Sequence, residues 1–151
     1  MKLIFLDIDG VLNSEDFFNA RVHTPEAKKK WTEESDFDPD AVSLLNHISD
    51  ATGANFVVTS AWRIGRTVSE LQDLFKRVGI TGKVVGRTRS IGDERRDEIQ
   101  EWIDSHDMCE AFVVIDDEYD MGLFTMRFVK TNWKHGLEHI HMHMAIDLLN
   151  E

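Results

Sequence analysis

Two aspartates separated by one residue close an apolar run near the start of the chain, "KLIFLDIDGVLN". Carboxylates rarely end a core strand without a partner, because an unpaired buried charge is strongly unfavourable. A second acidic pair, Asp116 and Asp117, ends the run "AFVVID", and a third run, "NFVVT", delivers the hydroxyls of Thr59 and Ser60. In an open parallel sheet the carboxyl ends of the strands lie along one edge, and ligands bind in that crevice. The carboxylates of Asp7, Asp9, Asp116 and Asp117 and the hydroxyls of Thr59 and Ser60 are therefore expected to converge. Carboxylates about 4 Å apart repel by roughly 1–4 kcal/mol at dielectrics between those of water and a protein surface, and a divalent cation removes the conflict. Oxygen-only ligation favours Mg²⁺, which keeps some waters and takes a few carboxylates together with a substrate phosphate.

The elements that would position these residues follow from the hydrophobic pattern. Short apolar runs alternate with longer amphipathic ones, the order of a parallel sheet flanked by helices. Strands are expected over 2–8, 55–59, 83–85, 111–116 and 127–130, near-continuous in apolar residues as befits strands covered on both faces. One helix starts with Asp38 as N-cap and Pro39 in its first turn, turns Val42, Leu45 and Ile48 or Ser49 inward, and is closed by Gly53. A second spans about Val68–Val78 before Gly79, with Leu71, Leu74, Phe75 and Val78 at helical spacing. A third follows "GDERRDEIQEWIDSH" and buries Ile99, Trp102 and Ile103. The last runs from about Leu137 to Leu149 with Leu137, Ile140, Met144 and Leu148 inward. The fold class is α/β: a doubly wound, mainly parallel five-stranded sheet in a single domain over 1–151. Residues 14–37, polar with scattered aromatics, read as a loop or a short helical flap over the mouth of the sheet, which leaves a minimal cap or none.

"DIDGVLN", "VVTS", the Arg95 region and "VVIDD" resemble, in order, the four motifs of the haloacid dehalogenase superfamily of phosphotransferases. The resemblance implies that Asp7 attacks phosphorus to form an aspartyl-phosphate, while Asp9 protonates the leaving oxygen and then activates water. It implies metal ligation by the Asp7 carboxylate, the Asp9 backbone carbonyl and one or both of Asp116 and Asp117. Thr59, with Ser60 as the alternative, would donate to a phosphate oxygen, and Gly10 would lie against the phosphate. Arg95, with Arg96 as the alternative, would offset the negative charge. An aspartate at the position of Asp9 is the choice of phosphatases and phosphomutases, since a leaving alkoxide needs a proton. "LDIDGVLN", "TSAWR" and "KTNWKHGL" are closer still to the small haloacid dehalogenase domains of Swiss Army Knife RNA repair proteins. Arg63 and Lys130 would then flank the site, Arg63 as a substrate contact or as a salt bridge to the acidic rim, with Trp62 packing beneath.

Composition narrows the partners. Seventeen Lys and Arg against 28 Asp and Glu leave a net charge of −11, which argues against broad affinity for nucleic acid or anionic membranes. Arg63, Arg66, Lys76, Arg77, Lys83, Arg87 and Arg89 nevertheless cluster in one segment, which reads either as a solvated face or as an anion-receiving rim. The single cysteine, Cys109, excludes an internal disulfide and suits a reducing, cytoplasmic compartment. His135, His139 and His143 fall at helical spacing and read as half-exposed helix residues. Trp31, Trp102 and Trp133 read as packing residues. The expected substrate is a nucleotide, a polynucleotide end or another phosphomonoester, with nucleic acid admitted as a partner through the basic segment. The rival reading is a non-catalytic module, receiver-like or an interaction domain, that retains the Mg²⁺ pocket.

Overall fold

The structure, a computed structural model, describes all residues except 26–29, 93, 108, 119 and 120. Among the described residues, five strands pair in parallel: β1 (Lys2–Leu6), β2 (Asn55–Val58), β3 (Val84–Arg87), β4 (Ala111–Asp116) and β5 (Phe128–Lys130), in the order β3-β2-β1-β4-β5. The helices are α1 (Glu15–Arg21), α2 (Pro39–Thr52), α3 (Val68–Arg77), α4 (Arg95–Asp104) and α5 (His139–Leu149). No helix among the described residues is long and apolar enough to cross a membrane.

The alternation of a strand explains both layers. Ile4 and Leu6 of β1 face a core shared with α2, α3 and α5, which contribute Leu45, Ile48, Leu71, Phe75, Ala145 and Leu149. Leu3 and Phe5 point the other way, onto Ile99 and Trp102 of α4 and Phe124 of the 3₁₀ turn before β5. Phe5 meets Trp102 and Phe112 edge-on, both at 5.7 Å between ring centroids. Central strands with both faces covered need apolar residues at every position, which is why the runs do not alternate with polar residues.

Strand order places the site. β1 leads through α2 to β2 on one side, whereas β4 leads to its other neighbour, β5. The connections leaving the adjacent strands β1 and β4 thus diverge, and the crevice between them opens at their carboxyl ends. The ladder sets Leu6 against Ile115 and, on β2, Leu6 against Val58, so Asp7, Thr59 and Asp116 emerge side by side.

The helices follow their sequence signals closely. Asp38 caps α2 by accepting from the Asp40 N–H at 2.9 Å, and Gly53 ends the helix in the left-handed region at φ 72°. Helix α5 differs. Its buried face carries His141, Met142, Ala145 and Leu149, while Ile140 and Met144, expected inward, are exposed. Apolar residues surround this helix, so spacing alone did not select a face, and packing against α2 and β4 decides it. Residues 14–37 contain α1, capped by Ser14, and a 3₁₀ turn over Glu33–Asp36. The segment is pinned at both ends: Glu15 and Asp16 N–H groups donate to the carbonyls of Trp133 and Lys134, and the Asp38 N–H to Leu12.

Phe5 fills the thinner layer directly below the site. Phe5→Ala is expected to cost about 3–5 kcal/mol of unfolding free energy, as read by chemical denaturation.

Candidate active site

Three carboxylates meet where the sequence placed them. Oxygens of Asp7, Asp116 and Asp117 lie within 4.8 Å of one another. Asp7 follows β1 by one residue. Its own N–H donates to the Ile115 carbonyl at 3.0 Å, and its Oδ1 accepts from the Ile8 N–H at 2.9 Å. Asp116 ends β4 with no exposed surface and accepts from the Glu118 N–H through Oδ1 at 2.9 Å. Arg95, at the start of α4, places Nη1 2.6 Å from Asp116 Oδ2 and 3.2 Å from Asp7 Oδ2.

One guanidinium does not balance three acids. Burial, then repulsion from Asp116, pushes the Asp7 carboxyl up from 3.8 to about 7, against the opposing pull of Arg95 and the Ile8 N–H. Burial and Asp116 likewise raise Asp117. Arg95 is itself partly desolvated, but Asp7 and Asp116 outweigh that and hold it more firmly protonated than an ordinary arginine. An all-oxygen, over-acidic donor set of this kind fits a hard divalent cation.

Asp9 does not join this group. Its side chain is exposed and turned aside, Oδ1 accepting from Asn13 Nδ2 at 2.9 Å and both oxygens lying 3.3 Å from the Trp62 indole nitrogen. Among the described residues the expectation of four converging carboxylates is thus corrected to three, the Asp9 carboxylate being held by Asn13 and Trp62 instead. A Cβ on Gly10 would overlap the Asp117 carboxylate. Gly10 is also not open to a phosphate: its N–H donates to Asn13 Oδ1 at 2.9 Å, and its carbonyl accepts from the Thr131 hydroxyl at 2.7 Å.

The two hydroxyls separate as well. Thr59, tied to β1 through its N–H to the Leu6 carbonyl, has a buried hydroxyl with no hydrogen-bond partner. Ser60 instead accepts from the Trp62 N–H at 3.3 Å and starts the 3₁₀ turn over Ala61–Arg63. Of the two arginines, Arg95 reaches the acids, while Arg96 lies against Gly122. Lys130 stands beside Asp116 in the β4–β5 ladder.

Arg63 is corrected most. Rather than flanking a substrate, it is 5 % exposed and donates from all three nitrogens into the protein. Its acceptors are the Thr59 and Ser60 carbonyls at 2.9 and 3.0 Å, the Thr88 carbonyl at 2.8 Å, the Ser90 hydroxyl at 3.2 Å and both Glu98 oxygens at 3.0–3.1 Å. Glu98 lies one helical turn beyond Arg95, so this pair ties the turn bearing Thr59 to the helix bearing Arg95. Sequence reading missed Glu98 and Asn13, and their only signals were a carboxylate three residues after the chosen arginine and an amide three residues after the Asp-x-Asp-Gly. The anion-receiving rim is also largely spent. Arg66 pairs with Glu33 at 2.6 Å, Arg77 with Glu33 at 3.0 Å and with Glu34, and Arg89 with Glu101 at 3.2 Å. Lys76, Lys83 and Arg87 remain exposed.

Of the aromatics, Trp102 is buried and stacks on His106 at 3.9 Å, whereas Trp31 and Trp133, each 46 % exposed, meet on either side of Phe18. His135 is engaged by Asp16 at 2.6 Å, and His139 and His143 are exposed on α5.

Two outcomes follow from this geometry. Arg63→Met or Glu98→Leu alone strands a buried charge and is expected to cost about 3–5 kcal/mol, while the double variant recovers a large part of that loss; denaturation midpoints of the three proteins check it. In EDTA, folded Asp7 keeps its proton up to about pH 7 but the unfolded chain only to about pH 3.8. Stability is therefore expected to fall as pH rises across that window. Asp7→Asn flattens the dependence and raises the melting temperature at neutral pH, read by thermal scans.

A model of the family described as the HAD domain in Swiss Army Knife RNA repair proteins matches residues 3–142, which takes in the five strands but for Lys2 and includes Asp7, Asp9, Thr59, Arg95, Asp116 and Asp117. No curated protein and no solved structure matches the chain. The parallel sheet in the order β3-β2-β1-β4-β5, the acids at the ends of β1 and β4, and the family match over 3–142 agree: the chain belongs to the haloacid dehalogenase (HAD) domains of Swiss Army Knife RNA repair proteins.

Proposed function

We propose that this hydrolase domain is an Mg²⁺-dependent phosphomonoesterase working through an aspartyl-phosphate, and that its substrate is a phosphate on a nucleotide or polynucleotide end. The observation that carries the reading is the group of Asp7, Asp116 and Asp117 oxygens within 4.8 Å at the mouth of the β1–β4 crevice. Three such acids beside a single arginine are poorly balanced alone and well suited to a cation plus a phosphoryl group. The RNA repair context of the family supports the choice of substrate.

Mg²⁺ bound by the Asp7, Asp116 and Asp117 carboxylates, with the Asp9 carbonyl, would supply the positive charge that lets Asp7 ionise and that draws charge from the phosphoryl oxygens. The chain's own groups do the rest. An Asp7 oxygen attacks phosphorus, the bond from phosphorus to the leaving alcohol breaks, and the Asp9 carboxyl gives its proton to the departing oxygen. Asp9, now a carboxylate, takes a proton from water as the water oxygen attacks phosphorus. The Asp7–phosphorus bond breaks, inorganic phosphate leaves and Asp9 is again protonated. The Thr59 hydroxyl, buried without a partner, donates to a phosphoryl oxygen, and Arg95 offsets the charge that builds there.

The test is phosphate release across mononucleotides, sugar phosphates and 5′- or 3′-phosphorylated oligonucleotides. EDTA is expected to abolish turnover and Mg²⁺ to restore it. Asp7→Asn should lower kcat at least about 10³-fold, and Asp9→Asn about 10²- to 10⁴-fold. Undiminished turnover in Asp7→Asn overturns the nucleophile. Folded protein that binds Mg²⁺ but releases no phosphate from any member of the panel makes the domain a phosphate-binding module instead.

A further inference from the structure

The acid/base of the proposed reaction, Asp9, is an exposed side chain on a turn, where an aspartate ordinarily samples several rotamers. Here it is held from two sides. Asn13 donates one amide hydrogen to Asp9 Oδ1 at 2.9 Å and the other to the Asp36 carbonyl at 3.1 Å, while its own oxygen accepts from the Gly10 N–H at 2.9 Å. Asn13 is 1 % exposed and fully committed. On the other side the Trp62 indole nitrogen stands 3.3 Å from both carboxylate oxygens, astride their bisector. One donor on the bisector and one on Oδ1 together define the rotation of the carboxyl group about its Cβ–Cγ bond.

Trp62 is itself braced. Phe37 meets its ring edge-on at 5.3 Å and the Arg66 guanidinium lies 5.4 Å from its centroid. Arg66 is anchored at 2.6 Å by Glu33. Beside these residues opens a groove of about 420 Å³ lined by Asp9, Glu33, Ala61, Trp62, Ile64 and Arg66. Asp9 thus borders a groove with room for a leaving group.

We infer that Trp62, together with Asn13, is a positioning residue that aims the Asp9 carboxyl at the leaving oxygen, leaving Oδ2 as the oxygen that carries the proton. The inference rests on the phosphomonoesterase reading. Oδ1 already accepts from two donors and Oδ2 from one, so Oδ2 has the lone pair to spare. A proton donor fixed in place before the bond breaks contributes by orientation, and its worth depends on how badly the leaving group needs a proton.

That dependence gives the test. Trp62→Phe keeps a ring against Phe37 and removes the N–H. It is expected to lower kcat/KM, which reports the steps up to departure of the alcohol, about tenfold for an alkyl phosphate, a poor leaving group. For 2,4-dinitrophenyl phosphate, whose phenolate leaves unprotonated, kcat/KM should stay within about twofold. Equal losses on both substrates would mean that Trp62 is merely structural and would overturn the proposal. A second arm needs no turnover. In ¹⁵N-labelled protein the Trp62 indole resonance, identified by its loss in Trp62→Phe, is expected to move more than the other three tryptophan signals when Asp9 is changed to Ala. An unmoved resonance overturns the contact. A wild-type protein inactive on both phosphates would fail the phosphomonoesterase reading, and this second arm would still decide whether Trp62 holds Asp9.

Discussion

Mutual repulsion among buried carboxylates is the constraint around which this fold is arranged. Asp7 and Asp116 leave adjacent strands in neighbouring register, and Asp117 follows directly. Nothing in the ladder can separate them, because the hydrogen bonds that align β1 with β4 also align the acids. The protein offsets the conflict only in part, with Arg95 between Asp7 and Asp116 and with backbone N–H groups that donate to the carboxylates, that of Ile8 to Asp7 and that of Glu118 to Asp116. What remains is a standing demand for positive charge at the mouth of the crevice, and function is the natural reason for a fold to tolerate it.

Holding Arg95 in place then becomes a structural problem, since the residue lies at the first turn of α4, where helices fray. Arg63 and Glu98 address it. Their ion pair, nearly closed to solvent, joins the turn after β2, the loop after β3 and α4 at one point. Buried ion pairs are weak sources of net stability and better understood as devices that specify an arrangement. Here the arrangement specified is the placement of the turn bearing Thr59 against the helix bearing Arg95.

The layers of the fold were legible because covered parallel strands must be apolar throughout, and helix ends carry Asp, Pro and Gly where backbone groups need caps. Asp7, Thr59, Asp116 and Asp117 were legible for the same reason, as polar residues at the ends of such strands, whereas Arg95 was legible only through the resemblance to the haloacid dehalogenase motifs. What escaped was set by side-chain direction and not by position along the chain. Nothing in "DIDGVLN" says that Asp9 turns away from its neighbours toward Trp62, a residue distant in sequence. Nothing in "TSAWR" says that Arg63 points inward to Glu98, a contact between residues far apart in the chain. The inward face of α5 escaped because apolar residues surround it, so periodicity carries no vector.

The crossover topology has a consequence for assembly. Asp7 and Asp116 are separated along the chain by α1, α2, β2, α3, β3 and α4, and they become neighbours only when β4 pairs with β1. Contacts of such long sequence separation carry the loop-closure entropy of the whole intervening segment and form late. The acidic pocket is consequently a hallmark of the finished sheet. Any partially folded form lacking β4 would hold the N-terminal aspartates solvated and unperturbed, without a pocket that could engage a cation or a phosphate.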